Sequence, residues 1–194
     1  MPAAAYPKEI ECDLKLRDGT HVRIRPIRPD DEIRLVRLYD RLSRDTAYQR
    51  FFTVMHRLPP DWARYLAAVD YVRRLALVVV SAADPEAEVI AVARYEPTDE
   101  PETAEVAFVV EDRWQGRGLG RVLFERLLAS AGQRGVKQFR AYVLDDNSRM
   151  LNLIARFGDI RHRALQHGVV DLLFIARAEP RAVSCDEPRR SPSA

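Results

Sequence analysis

The sequence predicts an α/β protein, a mixed β-sheet flanked by helices, and three observations lead to this prediction. Apolar runs of strand length alternate with segments whose apolar residues recur at helical spacing. Their order along the chain reads β-α-α-β-β-β-α-β-α-β-β, and such alternation places helices against the faces of one sheet. A glycine-rich loop at 115–120 joins one apolar run to an amphipathic segment, as at a strand–helix junction.

The individual elements follow from local signals. Alternating residues around Asp18-Gly19 predict a hairpin near the amino terminus. Asp30 or Asp31 is expected to cap the first helix, and the second follows Pro59-Pro60-Asp61, with Trp62, Tyr65, Leu66 and Val69 on one side. Residues 43–52 are expected to be a connecting segment. The later strands are predicted at 75–80, 89–95, 104–110, 139–144, 160–163 and 169–175, and the later helices at 119–134 and 150–157.

Length and composition limit the classes of function. The 194 residues suit one domain at 12–177, after a flexible amino terminus at 1–11 and before a disordered tail at 178–194. A net charge of +2 makes no electrostatic case for nucleic acid. No run approaches the roughly 20 apolar residues of a membrane span, and no signal peptide is visible, so a cytoplasmic location is expected. No metal-ligand spacing of Cys and His is present, and oligomeric state is not readable.

The loop Gln115-Gly116-Arg117-Gly118-Leu119-Gly120 is the most informative segment. It lies between the apolar run 106–110 and a predicted helix, where glycines and free helix N–H groups create a site for a phosphate. The spacing does not match a Walker A loop, since the chain contains no Lys-Ser or Lys-Thr pair. It also lacks the third glycine of a dinucleotide fingerprint, because Arg121 stands at that position.

The remaining pattern, Q-x-x-G-x-G, resembles the acyl-CoA pyrophosphate loop of the GNAT superfamily of N-acetyltransferases. The predicted element order is similar to the GNAT fold from about residue 12 to 176. The resemblance implies acetyl-CoA as cosubstrate, with its pyrophosphate on the main chain of Gln115 to Gly120 and its pantetheine arm along Phe108, Val109 and Val110. Arg117 and Arg121 are candidates for contacts with phosphate oxygens, or they form a solvated helix face.

Glu105 is the candidate general base. It lies on the strand that precedes the loop, and in several GNAT enzymes that act on lysine a glutamate near this point deprotonates the amine. A carboxylate in a partly desolvated cleft has a raised pKa, which suits a base. Glu111 is a weaker candidate because it ends the strand. Acidic residues of the preceding turn are candidates for steering a cationic amine, or form an exposed hairpin tip: Glu96, Asp99, Glu100 and Glu102.

Two further positions refine the resemblance. Asn147 begins the segment Asn147 to Leu151, where it is expected to cap a helix, and in the family an Asn here also meets the pantetheine. Many small-molecule GNAT enzymes have a Tyr seven residues later that protonates the leaving thiolate. Ile154 stands there, Phe157 has no proton to donate, and Tyr142 lies on another element.

The amino-terminal segments Leu16 to Thr20, Ile24 to Asp31 and Tyr48 to Phe52 resemble the acetyltransferase domain of bacterial protein lysine acetyltransferases. Such domains tend to lack the tyrosine acid and to keep the strand glutamate. Three functions stay open: acetylation of a protein lysine, acetylation of a small amine, and acyl-CoA binding without catalysis. Residues 43–60 and 161–168 are expected to shape the acceptor pocket.

Overall fold

The apolar runs of the sequence become the strands of one mixed sheet, and the helices cover its two faces, which confirms the predicted fold class. The computed structural model describes residues 5–82 and 88–177. The strands are β1 (Cys12–Lys15), β2 (His21–Pro26), β3 (Leu75–Ser81), β4 (Ala91–Pro97), β5 (Thr103–Val110), β6 (Gln138–Leu144), β7 (Gly158–Gln166) and β8 (Val169–Ala176). The helices are α1 (Glu32–Asp40), α2 (Arg44–Phe51), α3 (Pro60–Ala67), α4 (Leu119–Gly132) and α5 (Ser148–Phe157).

Among the described residues, the sheet has eight strands in the order β1-β2-β3-β4-β5-β6-β8-β7. Neighbouring strands are antiparallel except β5 and β6, which run parallel. The pairing of β5 with β6 extends only from Thr103 opposite Gln138 to Glu105 opposite Arg140. Beyond Glu105 the two strands no longer pair, so a wedge opens in the middle of the sheet.

Two apolar layers lie on opposite faces of the sheet. The sequence of β3 is continuously apolar because its alternate side chains enter opposite layers, and both layers exclude water. Leu75, Leu77 and Val79 join the layer that contains α4 and α5. Ala76, Val78 and Val80 join the layer beneath α1 and α3. The wedge between β5 and β6 therefore opens two strands away from a strand that is buried on both faces.

The predicted connection at 43–52 is wrong, since most of this segment is helix α2. Ser43 is the N-cap, and its hydroxyl accepts the Thr46 N–H at 3.2 Å. The hydroxyls of Ser43 and Thr46 each donate to the Asp112 carboxylate at 2.7 Å, and these bonds join the start of α2 to the segment after β5. The helix has little hydrophobic periodicity of its own, so the long-range bonds to Asp112 help to hold it in place.

The two aromatic residues that the sequence places on one side of α3 lie at the protein surface. Trp62 and Tyr65 are about half exposed, whereas Ala63 and Ala67 are buried. Small side chains allow α3 to lie close to its neighbours, and the large aromatic residues remain at the surface. Within the amino-terminal segment, residues 8–10 form one 3-10 turn that packs Ile10 into the core. Residues 1–4 and the predicted tail at 178–194 lie outside the described residues.

The sequence suggested Asp30 or Asp31 as the cap of α1. Asp31 does not cap this helix with its side chain, which instead forms a buried ion pair with Arg25. Both guanidinium Nη atoms of Arg25 donate to the carboxylate at 2.7 Å, and the Arg28 N–H donates at 2.8 Å. Burial raises the pKa of Asp31, but the bonds from Arg25 and Arg28 outweigh it and hold the pKa below its ordinary value. The pair connects β2 to the start of α1.

Replacing Asp31 with alanine should lower the free energy of unfolding by about 3–5 kcal/mol, because the Arg25 charge would stay buried without a partner. Urea unfolding at neutral pH measures this difference. Asp30→Ala is the matched control, since the Asp30 side chain is 66% exposed. Because the folded-state pKa of Asp31 is lowered, its contribution is present above the unfolded-state pKa and is lost as the pH falls through the folded-state pKa. Equal stability of the two variants at neutral pH would contradict the prediction.

Candidate active site

A cleft of about 340 Å³ occupies the wedge between β5 and β6. Its walls come from β5, β6, α2, the glycine loop and the start of α5, so five separate segments converge on it. The predicted site residues that line it are Glu105, Phe108, Val109, Val110, Gln115, Gly116, Gly120 and Asn147. Arg117, Gly118, Leu119 and Arg121 lie next to this lining, in the loop and the first turn of α4.

The main chain of β5 faces the cleft at alternate residues. The Glu111 N–H donates to the Ile90 carbonyl at 3.0 Å, which sets the phase of the antiparallel ladder between β4 and β5. Alternation then directs the N–H and C=O groups of Val109 toward β4 and those of Phe108 and Val110 toward the wedge. The main chain of Phe108 and the N–H of Val110 thus face the wedge, whereas the Val110 carbonyl accepts a bond from Gln115 and the Val109 main chain is part of the sheet.

Two different structural requirements explain the three glycines of the loop. Gly116 and Gly118 adopt positive φ angles of 77° and 83°, and Gly118 is the N-cap of α4. Other residues rarely adopt this backbone conformation without strain. Gly120 is needed for space, since a Cβ atom there would lie 3.0 Å from the Phe108 ring. The loop therefore turns tightly and then brings the first turn of α4 against β5.

The two arginines of the loop region have protein contacts. The Arg117 guanidinium donates to Asp18 at 2.8 Å and lies 4.8 Å from the centre of the Trp114 ring. The Arg121 guanidinium lies 5.9 Å from the centre of the Phe157 ring. Leu119 is fully buried, so its side chain belongs to the core and only its main chain remains for a ligand.

Gln115 connects three walls of the cleft through its side-chain amide. Its nitrogen donates to the Val110 carbonyl at 3.0 Å and to the Thr46 hydroxyl at 3.3 Å. Its oxygen accepts from Arg149 at 2.7 Å. This amide joins β5, α2 and α5, which explains a glutamine at the start of the loop without any ligand.

Asn147 performs the predicted capping, because its side-chain oxygen accepts the Met150 N–H at 3.1 Å. Ile154 is completely buried on the inner side of α5. Tyr142 was set aside in the sequence because it lies on another element, but it lines the cleft from β6, and its side chain is 41% exposed.

Glu105 lies where β5 and β6 separate. Burial raises the pKa of its carboxyl group, the Arg50 and Arg140 charges oppose this increase, and Glu96 adds to it. Within the described residues, no side chain or N–H group bonds to this carboxylate. A half-buried carboxylate with a raised pKa and no partner is suited to accept a proton.

The other acidic candidates, except Asp99, are engaged in ion pairs. Glu111 is buried rather than solvated, and it pairs with Arg41 at 3.1 Å and with Arg113. The acidic residues of the turn before β5 are largely neutralised as well. Glu96 pairs with Arg74 and Arg94, Glu100 with Arg140, and Glu102 with Lys137. Glu105 is thus the carboxylate that faces the cleft without a bonded partner among the described residues.

Helix α2 supplies a wall of the cleft that the sequence did not assign, although residues 43–60 were expected to shape an acceptor pocket. Thr46, Gln49, Arg50 and Phe52 line the cleft from this side. The local signal that predicts this helix is Ser43 with an acidic residue in the next turn, a typical N-cap arrangement.

Comparison with known proteins identifies the fold and the chemistry. The model of the acetyltransferase (GNAT) family matches residues 36–159, which include the cleft walls from α2 to α5. The chain belongs to the acetyltransferase (GNAT) family. This acetyltransferase is 37% identical over 149 residues to Acetyltransferase Pat of Mycolicibacterium smegmatis, across 76% of its own length and 44% of that relative. It is 31% identical over 148 residues to an acetyltransferase of Pseudomonas aeruginosa, across 76% of its own length and 80% of that protein.

Solved structures agree. The GNAT domain of S. lividans PAT is 36% identical to the acetyltransferase with a TM-score of 0.78, covering 88% of this chain and 99% of that one. A cAMP-binding acyltransferase from Mycobacterium smegmatis is 26% identical with a TM-score of 0.59, covering 96% of this chain and 53% of that one.

The acetyltransferase uses acetyl-CoA as its acyl donor, as its family does. Within residues 5–82 and 88–177, no group of three or more His, Cys, Asp or Glu side chains is arranged to hold a metal ion. No helix in the same part of the chain has the length and apolar character to cross a bilayer.

Proposed function

We propose that the acetyltransferase transfers an acetyl group from acetyl-CoA to the Nε atom of a lysine in a protein, by direct attack in a ternary complex with Glu105 as general base. The observation that carries the proposal is the unbonded, half-buried carboxylate of Glu105 at the end of the wedge. Both substrates have a route to this point, since the cleft reaches the glycine loop on one side and the open face of β6 on the other.

Acetyl-CoA fits the loop side of the cleft. The main-chain N–H groups from Gln115 to Gly120 would receive the pyrophosphate at the start of α4, where the helix dipole favours an anion. The main-chain groups of Phe108 and the Val110 N–H would bond to the pantetheine arm, while the Val110 carbonyl accepts from Gln115, and Asn147 closes the opposite wall. Arg117 and Arg121 lie near enough to the loop to add charge, in competition with their present contacts.

The proposed acetyl transfer needs one general base. Glu105 accepts a proton from the lysine ammonium group, and the freed amine attacks the thioester carbonyl to form the C–N bond. Collapse of the tetrahedral intermediate breaks the C–S bond, and the thiolate leaves with a proton from solvent or from the attacking nitrogen. Ile154 supplies no hydroxyl for this last step.

A protein acceptor is favoured by the uncovered part of the sheet beside Glu105. The apolar layer under α1 and α3 ends at β5. Beyond β5 on the same face, β6 carries Arg140 and Tyr142, and β8 carries Asp171. Neither α1 nor α3 covers these two strands. This open face leaves room for a segment of another protein, whereas a site for a small amine would be enclosed.

The acceptor is tested by comparing three kinds of substrate. The first is a lysine in a folded protein, the second is a peptide of the same sequence, and the third is a free amine, either lysine or spermidine. Coenzyme A release gives kcat/KM, and mass spectrometry locates the acetyl group. Protein lysines are expected to be the better acceptors, with the acetyl group on Nε. Turnover of the free amines alone would contradict the proposal, and tight acetyl-CoA binding without any turnover would favour an acyl-CoA-binding module.

A further inference from the structure

Arg50 is a cation in the acceptor side of the cleft that the proposed chemistry does not use. It projects from α2 into the cleft lining. Its guanidinium lies 4.8 Å from the centre of the Phe51 ring. Among the described residues, no carboxylate or carbonyl oxygen lies within bonding distance of it. Burial lowers the pKa of Arg50 to about 10, so the group remains charged at neutral pH.

Two neighbouring arginines, Arg94 and Arg74, differ from Arg50 because each is paired with a carboxylate. Arg94, on the same side of the sheet, is buried, and its guanidinium bonds to Glu96 at 2.5 Å. Arg74 bonds to the other oxygen of Glu96 at 2.5 Å, so this carboxylate is fully used. Glu105 acts on Arg50 through its charge but not through an ion pair. Arg50 therefore keeps unused donors while being partly removed from water, which is costly unless an anion joins it.

The cleft thus places a proton acceptor and an anion-binding group side by side. An acceptor that satisfies both carries an ammonium group, which loses its proton to Glu105, and a carboxylate close to it. Guanidinium and carboxylate form two parallel hydrogen bonds, which are stronger than bonds to a neutral carbonyl. In an extended segment, side chains two residues apart lie on the same side.

We propose that Arg50 binds an Asp or Glu side chain two residues from the acetylated lysine, so that the acetyltransferase prefers lysines with an acidic neighbour. This inference rests on the proposed function, since it requires a lysine within a polypeptide. It assigns Arg50 to selection of the acceptor, whereas Glu105 acts on the proton of any acceptor.

The test uses peptides that differ at one position. One peptide carries Lys with Asp two residues before or after it, and its partner carries Asn at that place. The wild-type protein should show a kcat/KM about tenfold higher for the Asp peptide, the size expected for a hydrogen bond between charged groups. In Arg50→Gln the ratio should approach one, in Arg50→Lys it should be intermediate, and in Arg50→Glu it should be reversed.

Acetyl-CoA affinity and thermal unfolding of each variant show whether the loop and the fold are intact. Arg73→Gln is the matched control, because it removes one charge from an exposed position before β3, outside the cleft lining, and should keep the preference for Asp. Equal rates of the wild type on Asp and Asn peptides, or a preference that survives Arg50→Gln, would overturn the inference. If neither peptide is acetylated while free amines are, the proposed function fails, and the inference fails with it.

Discussion

Glu105→Gln should lower kcat by about 10²–10⁴-fold, the usual contribution of a positioned general base, with little change in acetyl-CoA affinity. The amide keeps the size of the carboxyl group but cannot accept the ammonium proton. In the proposed binding mode, acetyl-CoA contacts main-chain groups of the loop and β5, which the substitution does not touch. Steady-state kinetics on a lysine peptide and calorimetry with acetyl-CoA measure the two quantities separately.

The pH profile gives a second readout of the same substitution. The base acts when deprotonated, and burial raises the pKa of Glu105 above its ordinary value. The wild-type rate should therefore increase with pH through that raised pKa, and this limb should disappear in Glu105→Gln. Glu102→Gln is the matched control, since Glu102 is exposed and pairs with Lys137 at 2.7 Å outside the cleft. An unchanged kcat in Glu105→Gln would remove Glu105 from the mechanism.

Gly118→Val should weaken acetyl-CoA binding by about 5- to 150-fold, as expected from about 1–3 kcal/mol of backbone strain. Gly118 has a φ of 83° at the N-cap of α4. A β-branched residue is strained there and would turn the first N–H groups of the helix away from the pyrophosphate. The dissociation constant of acetyl-CoA, measured by calorimetry, shows the effect.

The control for Gly118→Val is Gly132→Val in the same helix. Gly132 has no positive φ, and a Cβ atom there would meet nothing within 4 Å. Gly132→Val should thus keep its acetyl-CoA affinity, even if the helix becomes slightly less stable. Thermal unfolding of both variants separates a loss of binding from a loss of folding. Wild-type affinity in folded Gly118→Val would contradict the assignment of the loop.

Local chemistry explains why so many elements were predictable. The hairpin at Asp18-Gly19, the loop at 115–120 and the cap at Asn147 depend on residues close together in sequence, and each is found in the structure. Helix α2 was missed although Ser43 and Asp45 provide a local N-cap signal, because the helix has little hydrophobic periodicity. Its position depends on bonds from Ser43 and Thr46 to Asp112, more than sixty residues away.

The sequence by itself determined the strand–loop–helix unit and the glutamate that precedes it, because these depend on turn conformation and on hydrophobic periodicity along one stretch of chain. Only the tertiary structure decided which acidic residue is available. Glu105 lies on β5 and Glu111 directly follows this strand, but Arg113 and the distant Arg41 pair with Glu111, and the separation of β5 from β6 leaves Glu105 open. It also placed Arg50 in the cleft. Burial and charge pairing arise between segments remote in sequence, so no local pattern records them.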